Sequence, residues 1–320
     1  MNNYYDKFLK ALSERYPSRP ELVAALQDTL SISKENIYRR LRRDVIFTPE
    51  EMMRIADAWN MSLDNVISTC GGRTSSLRFS LIDYINPDEH DYSLFGQYNG
   101  MLELVAQDPD GEFTEMSNTL PGSLYNKSDN LLRFFTMKWF YKYGGSENVT
   151  PMSEIRIPER MRDLEREYVD LLRQIPKKNA IQDRHFVEHL VDEINYFHSV
   201  RMVTADELAA LKGELLEIMD YTEDVALKGY FPETGNKCFL YLSHMRLETE
   251  YSLFGSKNMT LSVVKILERN GIVSLDKQVF DKFSNMARAN ISSSVLMSMS
   301  NRLELIRFYD KQKRTIEAMK

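Results

Sequence analysis

The N-terminal region is best recognised from residues 30–43, which read LSISKENIYRRLRR. At about 100° per residue, Ile37 and Leu41 lie about 40° apart and define the apolar face of a helix. Ile32 leads into that face. Ser33 is a favourable N-cap residue, so we expect the helix to begin directly after it.

The opposite side of this helix is polar and basic. From Lys34 to Arg43 there are five basic side chains and one acid, Glu35. Arginine can pair with guanine and asparagine with adenine, while tyrosine can contact a phosphate or a thymine methyl group. The helix-start amides after Ser33 also suit a phosphate. The residues that we predict to contact double-stranded DNA are Ser33, Lys34, Glu35, Asn36, Tyr38, Arg39, Arg42 and Arg43.

Further short helices flank this segment. Tyr5, Leu9, Leu12 and Tyr16 recur with helical spacing, and Pro20 suits the start of a second helix. The run Thr48-Pro49-Glu50-Glu51 combines an N-cap hydroxyl with a glutamate whose side chain can accept a hydrogen bond from the N-cap amide. Another helix is therefore expected to begin there. Residues 62–67 predict a fifth helix. We therefore predict a five-helix domain over residues 1–70 and a linker over 71–76, which follows the Gly71-Gly72 break.

The run from Leu22 to Ile67 resembles the Cro-repressor-like (Xre-type) helix-turn-helix proteins, on residues 30–42, 47–51 and 61–64. The resemblance covers about a fifth of the chain. It implies a recognition helix over about 33–43 that lies in the major groove of operator DNA, and a homodimer. It also implies that Lys34, Glu35, Tyr38 and Arg39 contact bases, while Arg42 contacts the sugar-phosphate backbone of the DNA. The whole layout resembles bacterial regulators with a long, mainly helical C-terminal region.

Three residues depart from the family pattern. Ser31 and Arg43 replace glycines, so a left-handed backbone at either residue costs about 1 kcal/mol. Arg40 stands where an apolar residue is common. We expect its aliphatic stem to cover the core while its guanidinium reaches solvent.

Residues 77–320 are predicted to form a larger, mainly helical regulatory and dimerisation domain. Leu131–Tyr143 is rich in aromatic residues and is expected to cross a core, or alternatively to line a pocket for an effector that the sequence does not identify. Alternation between Lys237 and Ile266 predicts two or three strands. The fold class predicted for the chain is mainly α, with a small β element.

Composition narrows the class of protein. A chain of 320 residues with 43% hydrophobic residues can bury a sizeable core. The N-terminus lacks a charged stretch followed by an apolar one, so we predict a cytoplasmic protein that does not enter a membrane. The net charge of −6 makes the chain outside residues 34–43 acidic. Cys70 and Cys238 are predicted to be buried structural thiols and not nucleophiles, because nothing nearby in the sequence supplies an activating base. No cofactor is expected.

Two other functions are open. His185, Glu188 and His189 fit the H-x-x-E-H pattern of zinc peptidases, in which two histidines hold the metal and the glutamate activates water. A third ligand would have to come from Glu193, Glu248 or Glu250. An amphipathic helix with these histidines at its surface explains the same pattern, so we predict a protein that is not an enzyme. A protein-interaction adaptor that has lost DNA binding is the other alternative.

Overall fold

The chain divides into two structural units, residues 1–76 and 77–320. Each unit is described by itself. The structure, a computed structural model, describes residues 4–16, 18–59, 61, 63, 66, 78–144, 149–297 and 302–320.

The N-terminal unit is helical, as the spacing of its apolar residues predicts. Its helices are α1 (Tyr4–Arg15), α2 (Arg19–Leu30), α3 (Lys34–Leu41) and α4 (Pro49–Ala58). The predicted capping box at Thr48 is present: the Thr48 hydroxyl accepts from the Glu51 amide, and the Glu51 carboxylate accepts from the Thr48 amide. The fifth helix predicted over 62–67 and the linker predicted over 71–76 lie largely outside the described residues.

These short helices share one core. Leu12, Leu26, Ile37, Phe47 and Ile55 are fully buried, and each comes from a different helix or loop. Burying one such side chain contributes about 1.5–3 kcal/mol. The helices therefore depend on each other for stability, since isolated helices of about 12 residues are marginal in water.

The C-terminal unit combines helices with an eight-stranded sheet in the order β1-β7-β6-β5-β2-β3-β4-β8. Strands β2, β3 and β4 are parallel, and the other pairs are antiparallel. The strands are β1 (Arg78–Ser80), β2 (Glu112–Ser117), β3 (Lys177–Asp183), β4 (Lys237–Ser243), β5 (Tyr251–Gly255), β6 (Thr260–Ile266), β7 (Asn270–Ser274) and β8 (Val295–Leu296). The helices are α5 (Glu89–Ala106), the single turn α6 (Gly122–Tyr125), α7 (Asp129–Tyr143), α8 (Glu159–Gln174), α9 (Phe186–Ser199), α10 (Ala205–Lys228), α11 (Lys277–Ser293) and α12 (Arg302–Glu317).

The predicted fold class, mainly α with a small β element, is wrong for this unit. The strands expected between Lys237 and Ile266 are present, but they belong to a much larger mixed sheet. Its interior strand β3 was missed because its sequence, KKNAIQD, is polar. The Lys178 ammonium is buried and lies 2.8 Å from the buried Glu115 carboxylate of β2. Such pairing lets a strand enter the core without an apolar sequence pattern.

Helices cover both faces of the sheet. Phe113 and Met116 of β2 differ by an odd number of residues, so their side chains lie on opposite faces. Phe113 packs with residues of α5 and α8, whereas Met116 packs in a cluster with Ala287 of α11. The sheet is thus the middle layer of the unit.

The aromatic segment Leu131–Tyr143 forms most of α7. Phe134 and Phe135 are buried in the main core, so this part of the prediction is confirmed. Their rings contact each other and those of Tyr125 and Phe197. Across the described part of the chain, no helix has the length and apolar character needed to cross a membrane.

Candidate nucleic-acid interface

The turn between α2 and α3 sets where the basic helix begins. Ser31 ends α2 in the left-handed conformation, with φ 56° and ψ 37°, and its amide donates to the Gln27 carbonyl at 2.8 Å. Ser33 then caps α3, because its hydroxyl accepts from the Asn36 amide at 3.4 Å. The predicted N-cap is confirmed, and α3 starts at Lys34.

One side of α3 is exposed and the other is buried. Ile37 is fully buried in the core, as its position on the apolar face predicts. Lys34, Glu35, Asn36 and Arg39 are exposed. Lys34 and Arg39 form no ion pair with any residue that the structure describes, so both cations are available to a ligand.

Tyr38 does not project as predicted. It is half-buried and packs against the core of the N-terminal unit, so only part of its ring is available to a ligand. The helical angle that separates Tyr38 from Ile37 is about 100°, which places Tyr38 at the edge of the buried face.

Arg40 also differs from the expectation. Its guanidinium lies against Glu51 of α4, and only 14% of the side chain is exposed. Nη2 donates to Oε1 at 2.6 Å and Nε donates to Oε2 at 3.0 Å. The partner acid explains how an arginine occupies a position beside the core.

Arg42 and Arg43 are exposed but are paired with acids. Arg42 Nε lies 3.2 Å from Asp44 Oδ2, and Arg43 Nη2 lies 2.9 Å from Asp6 Oδ1. Exposed pairs of this kind contribute about 0–1 kcal/mol, so a phosphate can replace the carboxylates. Arg43 has φ 70°, which is the left-handed cap expected there. Of the five basic residues of the segment, therefore, Lys34 and Arg39 are the two that form no ion pair with an acid that the structure describes.

Tyr5 is a positioning residue that the sequence pattern did not identify. Its hydroxyl donates to the Arg40 carbonyl at 3.0 Å and accepts from the Phe47 amide at 3.2 Å. Burial raises the pKa of Tyr5 above its ordinary value of 10.0, against the opposing effect of the Phe47 amide, so the phenol keeps its proton. Tyr5 thereby ties α1 to both ends of the loop after α3. The only signal in the sequence was a tyrosine on an apolar face, whose hydroxyl needs a partner when buried.

The H-x-x-E-H segment lies at the start of α9. His185 Nδ1 lies 2.5 Å from Glu188 Oε2, and the other Glu188 oxygen lies 2.6 Å from Lys311 Nζ. Glu188, which would be the general base, therefore already has two partners, the Lys311 ammonium in an ion pair and the His185 ring. In the described ranges of the chain, no three side chains of His, Cys, Asp or Glu are grouped so that they can hold a metal ion.

The candidate third ligands have other partners or lie at the surface. Glu193 pairs with Lys138, and Glu250 pairs with Lys265. Glu248 is exposed.

Cys238 is buried, and burial raises the pKa of its thiol to about 11, which suits a structural role. Cys70 lies outside the described residues.

Comparison of the chain with protein-family models, with curated proteins and with solved structures finds no match.

Proposed function

We propose that this protein is a sequence-specific regulator of transcription that binds double-stranded DNA through α3. The observation that carries the proposal is the exposed side of α3, where Lys34, Asn36 and Arg39 are exposed while Ile37 is buried on the opposite side. Lysine, asparagine and arginine are the side chains that most often contact phosphates and base edges.

The position of α3 is fixed at both ends. Ser33 caps its start, and the Arg40–Glu51 pair joins its last turn to α4. A recognition helix must be held rigidly because base contacts require positions accurate to a fraction of an ångström. The helix-start amides after Ser33 add a favourable place for a phosphate.

The protein acts by occupying its site, without catalysis, in the cytoplasm. A symmetric dimer would place two copies of α3 on half-sites about one helical turn apart, which predicts a palindromic operator. Because the rest of the chain is net acidic, its charge favours contact with DNA through α3 alone.

Selection of bound duplexes tests the proposal. The full-length protein is incubated with fragmented genomic DNA at several salt concentrations, and bound fragments are sequenced. We expect a short palindrome to be enriched by the wild-type protein and not by Arg39→Ala. The control Arg15→Ala, an exposed arginine at the end of α1, should enrich the same sequence. If no sequence is enriched at any salt concentration, the proposal fails and an interaction adaptor becomes the better description.

A further inference from the structure

A cleft of about 310 Å³ lies at one edge of the central sheet. Strands β3 and β4 are parallel neighbours, and Asp183 is in register with Ser243 at their carboxyl ends. The loops that follow the two strands therefore leave the sheet side by side, and they line the cleft together with the start of α9. The carboxyl edge of parallel strands is where open α/β sheets bind ligands.

The two loops are held in place by Asp183. This side chain is buried, and its carboxylate accepts from the His185 amide at 2.8 Å and from the Leu247 amide at 3.4 Å. Ser243 closes the second loop by accepting from the Met245 amide at 3.2 Å. The Asp183 carboxylate is thus already hydrogen-bonded to backbone amides. These bonds fix the two loops, so the cleft does not need a ligand to form.

Two arginines line the cleft. Arg184 and Arg246 follow β3 and β4, and neither forms an ion pair or side-chain hydrogen bond with any described residue. The Nε atom of Arg184 is buried, and no described group accepts a hydrogen bond from it. A buried donor without a partner destabilises the fold, so a ligand that supplies an acceptor removes that cost. The planar fork of arginine matches the oxygens of carboxylate and phosphate groups.

The remaining side chains also favour an anion. His189 and His244 line the same cleft and can donate hydrogen bonds from their rings. The nearby acid Glu188 is paired: the hydrogen bond from Lys311, and then that from His185, hold its pKa below the ordinary value of 4.5. Two arginines repel a cation, and the cleft contains no metal-binding group of three ligands among the described residues.

We propose that this cleft binds a small anionic molecule through a carboxylate or phosphate group that Arg184 and Arg246 hold between them. Its volume is at the lower end of the roughly 300–1,000 Å³ of small-molecule sites, so the ligand has few atoms besides its anionic group. This assignment goes beyond the DNA-binding proposal and does not depend on it.

Calorimetric titration of the full-length protein tests the assignment. The probes are inorganic phosphate and succinate, each added at constant ionic strength with chloride as the replaced ion. We expect at least one probe to bind saturably at one site per chain, and the tighter of the two identifies the anionic group. If neither probe binds saturably, the assignment is wrong.

Matched variants locate the binding. Arg246→Gln replaces an exposed guanidinium with a neutral amide and should weaken binding at least tenfold. Arg184→Gln combined with it should abolish binding. The control is Arg201→Gln, because Arg201 is also exposed and lies beyond the far end of α9. Since α9 has 14 residues, the control lies about 20 Å away along the helix. Equal affinity in the wild type, Arg246→Gln and Arg201→Gln would overturn the assignment, and circular dichroism spectra establish that each variant is folded.

Discussion

The Arg40 guanidinium lies side-on to the Glu51 carboxylate, with Nη2 2.6 Å from Oε1 and Nε 3.0 Å from Oε2. Oε2 also accepts from the Thr48 amide at 2.9 Å. Glu51 thus closes the N-terminus of α4 and at the same time holds the end of α3. The Glu51 carboxylate therefore orients the exposed side of α3 together with the Ser33 cap and the Tyr5 hydroxyl.

Glu51→Gln should lower the free energy of unfolding of the N-terminal unit by about 1–3 kcal/mol. The amide can still accept from Thr48, but it lacks the charge that offsets the largely buried Arg40. Urea unfolding followed by Trp59 fluorescence measures the change in a Trp139→Phe background, which removes the other tryptophan of the chain. Trp139 Nε1 has no hydrogen-bond partner among the described residues, so this background loses no such bond.

The matched control is Glu50→Gln, which changes the same group one residue earlier. Glu50 is exposed, so we expect a change within about 0.5 kcal/mol. Equal effects of Glu50→Gln and Glu51→Gln would contradict the role given to the pair.

The contribution of Glu51 should depend on pH. Burial opposes its ionisation, but hydrogen bonds from Arg40 and the Thr48 amide outweigh burial and lower its pKa below the ordinary value of 4.5. A group whose pKa is lower in the folded state stabilises the fold above its unfolded pKa and loses that effect as pH falls through its folded pKa. The stability difference between wild type and Glu51→Gln should be complete at pH 7 and should shrink below pH 4.5. Urea midpoints from pH 7 to pH 3 measure it, and a constant difference would argue against an ionised Glu51.

Tyr5→Phe should destabilise the N-terminal unit by about 1–3 kcal/mol, because the buried Phe47 amide loses its acceptor. Tyr4→Phe makes the same change at the adjacent residue, which is 63% exposed, and should have almost no effect. Thermal unfolding in the same tryptophan background compares the two. A Tyr5→Phe protein as stable as Tyr4→Phe would show that this hydroxyl does not anchor the loop.

Ser31→Gly should stabilise the N-terminal unit by about 0.5–1 kcal/mol, since Ser31 has φ 56° and glycine adopts that conformation without strain. Ser33 has φ −65° and caps α3, so Ser33→Gly should give no gain. The urea midpoint of each variant is compared with that of the wild type. If both variants shift the midpoint in the same direction, relief of backbone strain at Ser31 does not explain the change.

The sequence predicted best what depends on neighbouring residues. The caps at Ser33 and Thr48 and the burial of Ile37 follow from contacts within four residues or from helical spacing, and all three are confirmed. Pairs between distant residues were missed. Glu115 and Lys178 lie 63 positions apart and are buried together. Strands β2 and β3 therefore carry charged residues at buried positions, and a hydropathy pattern does not identify such strands.

The basic segment shows the same limit. A count of charges along residues 34–43 overstates the positive charge of this segment, because Asp6 and Glu51 lie outside it and pair with Arg43 and Arg40. Only the tertiary structure distinguishes Arg39, which has no acidic partner among the described residues, from its neighbours.

The affinity of the full-length protein for a selected duplex, measured against salt concentration, tests most directly whether α3 binds DNA. We predict that Arg39→Ala costs about 1–3 kcal/mol on the selected duplex and much less on a scrambled one. Arg42→Ala should weaken binding to both duplexes alike and reduce the slope of log K against log salt by about one unit. Equal, salt-independent binding by the wild type and both variants would contradict DNA binding through this helix.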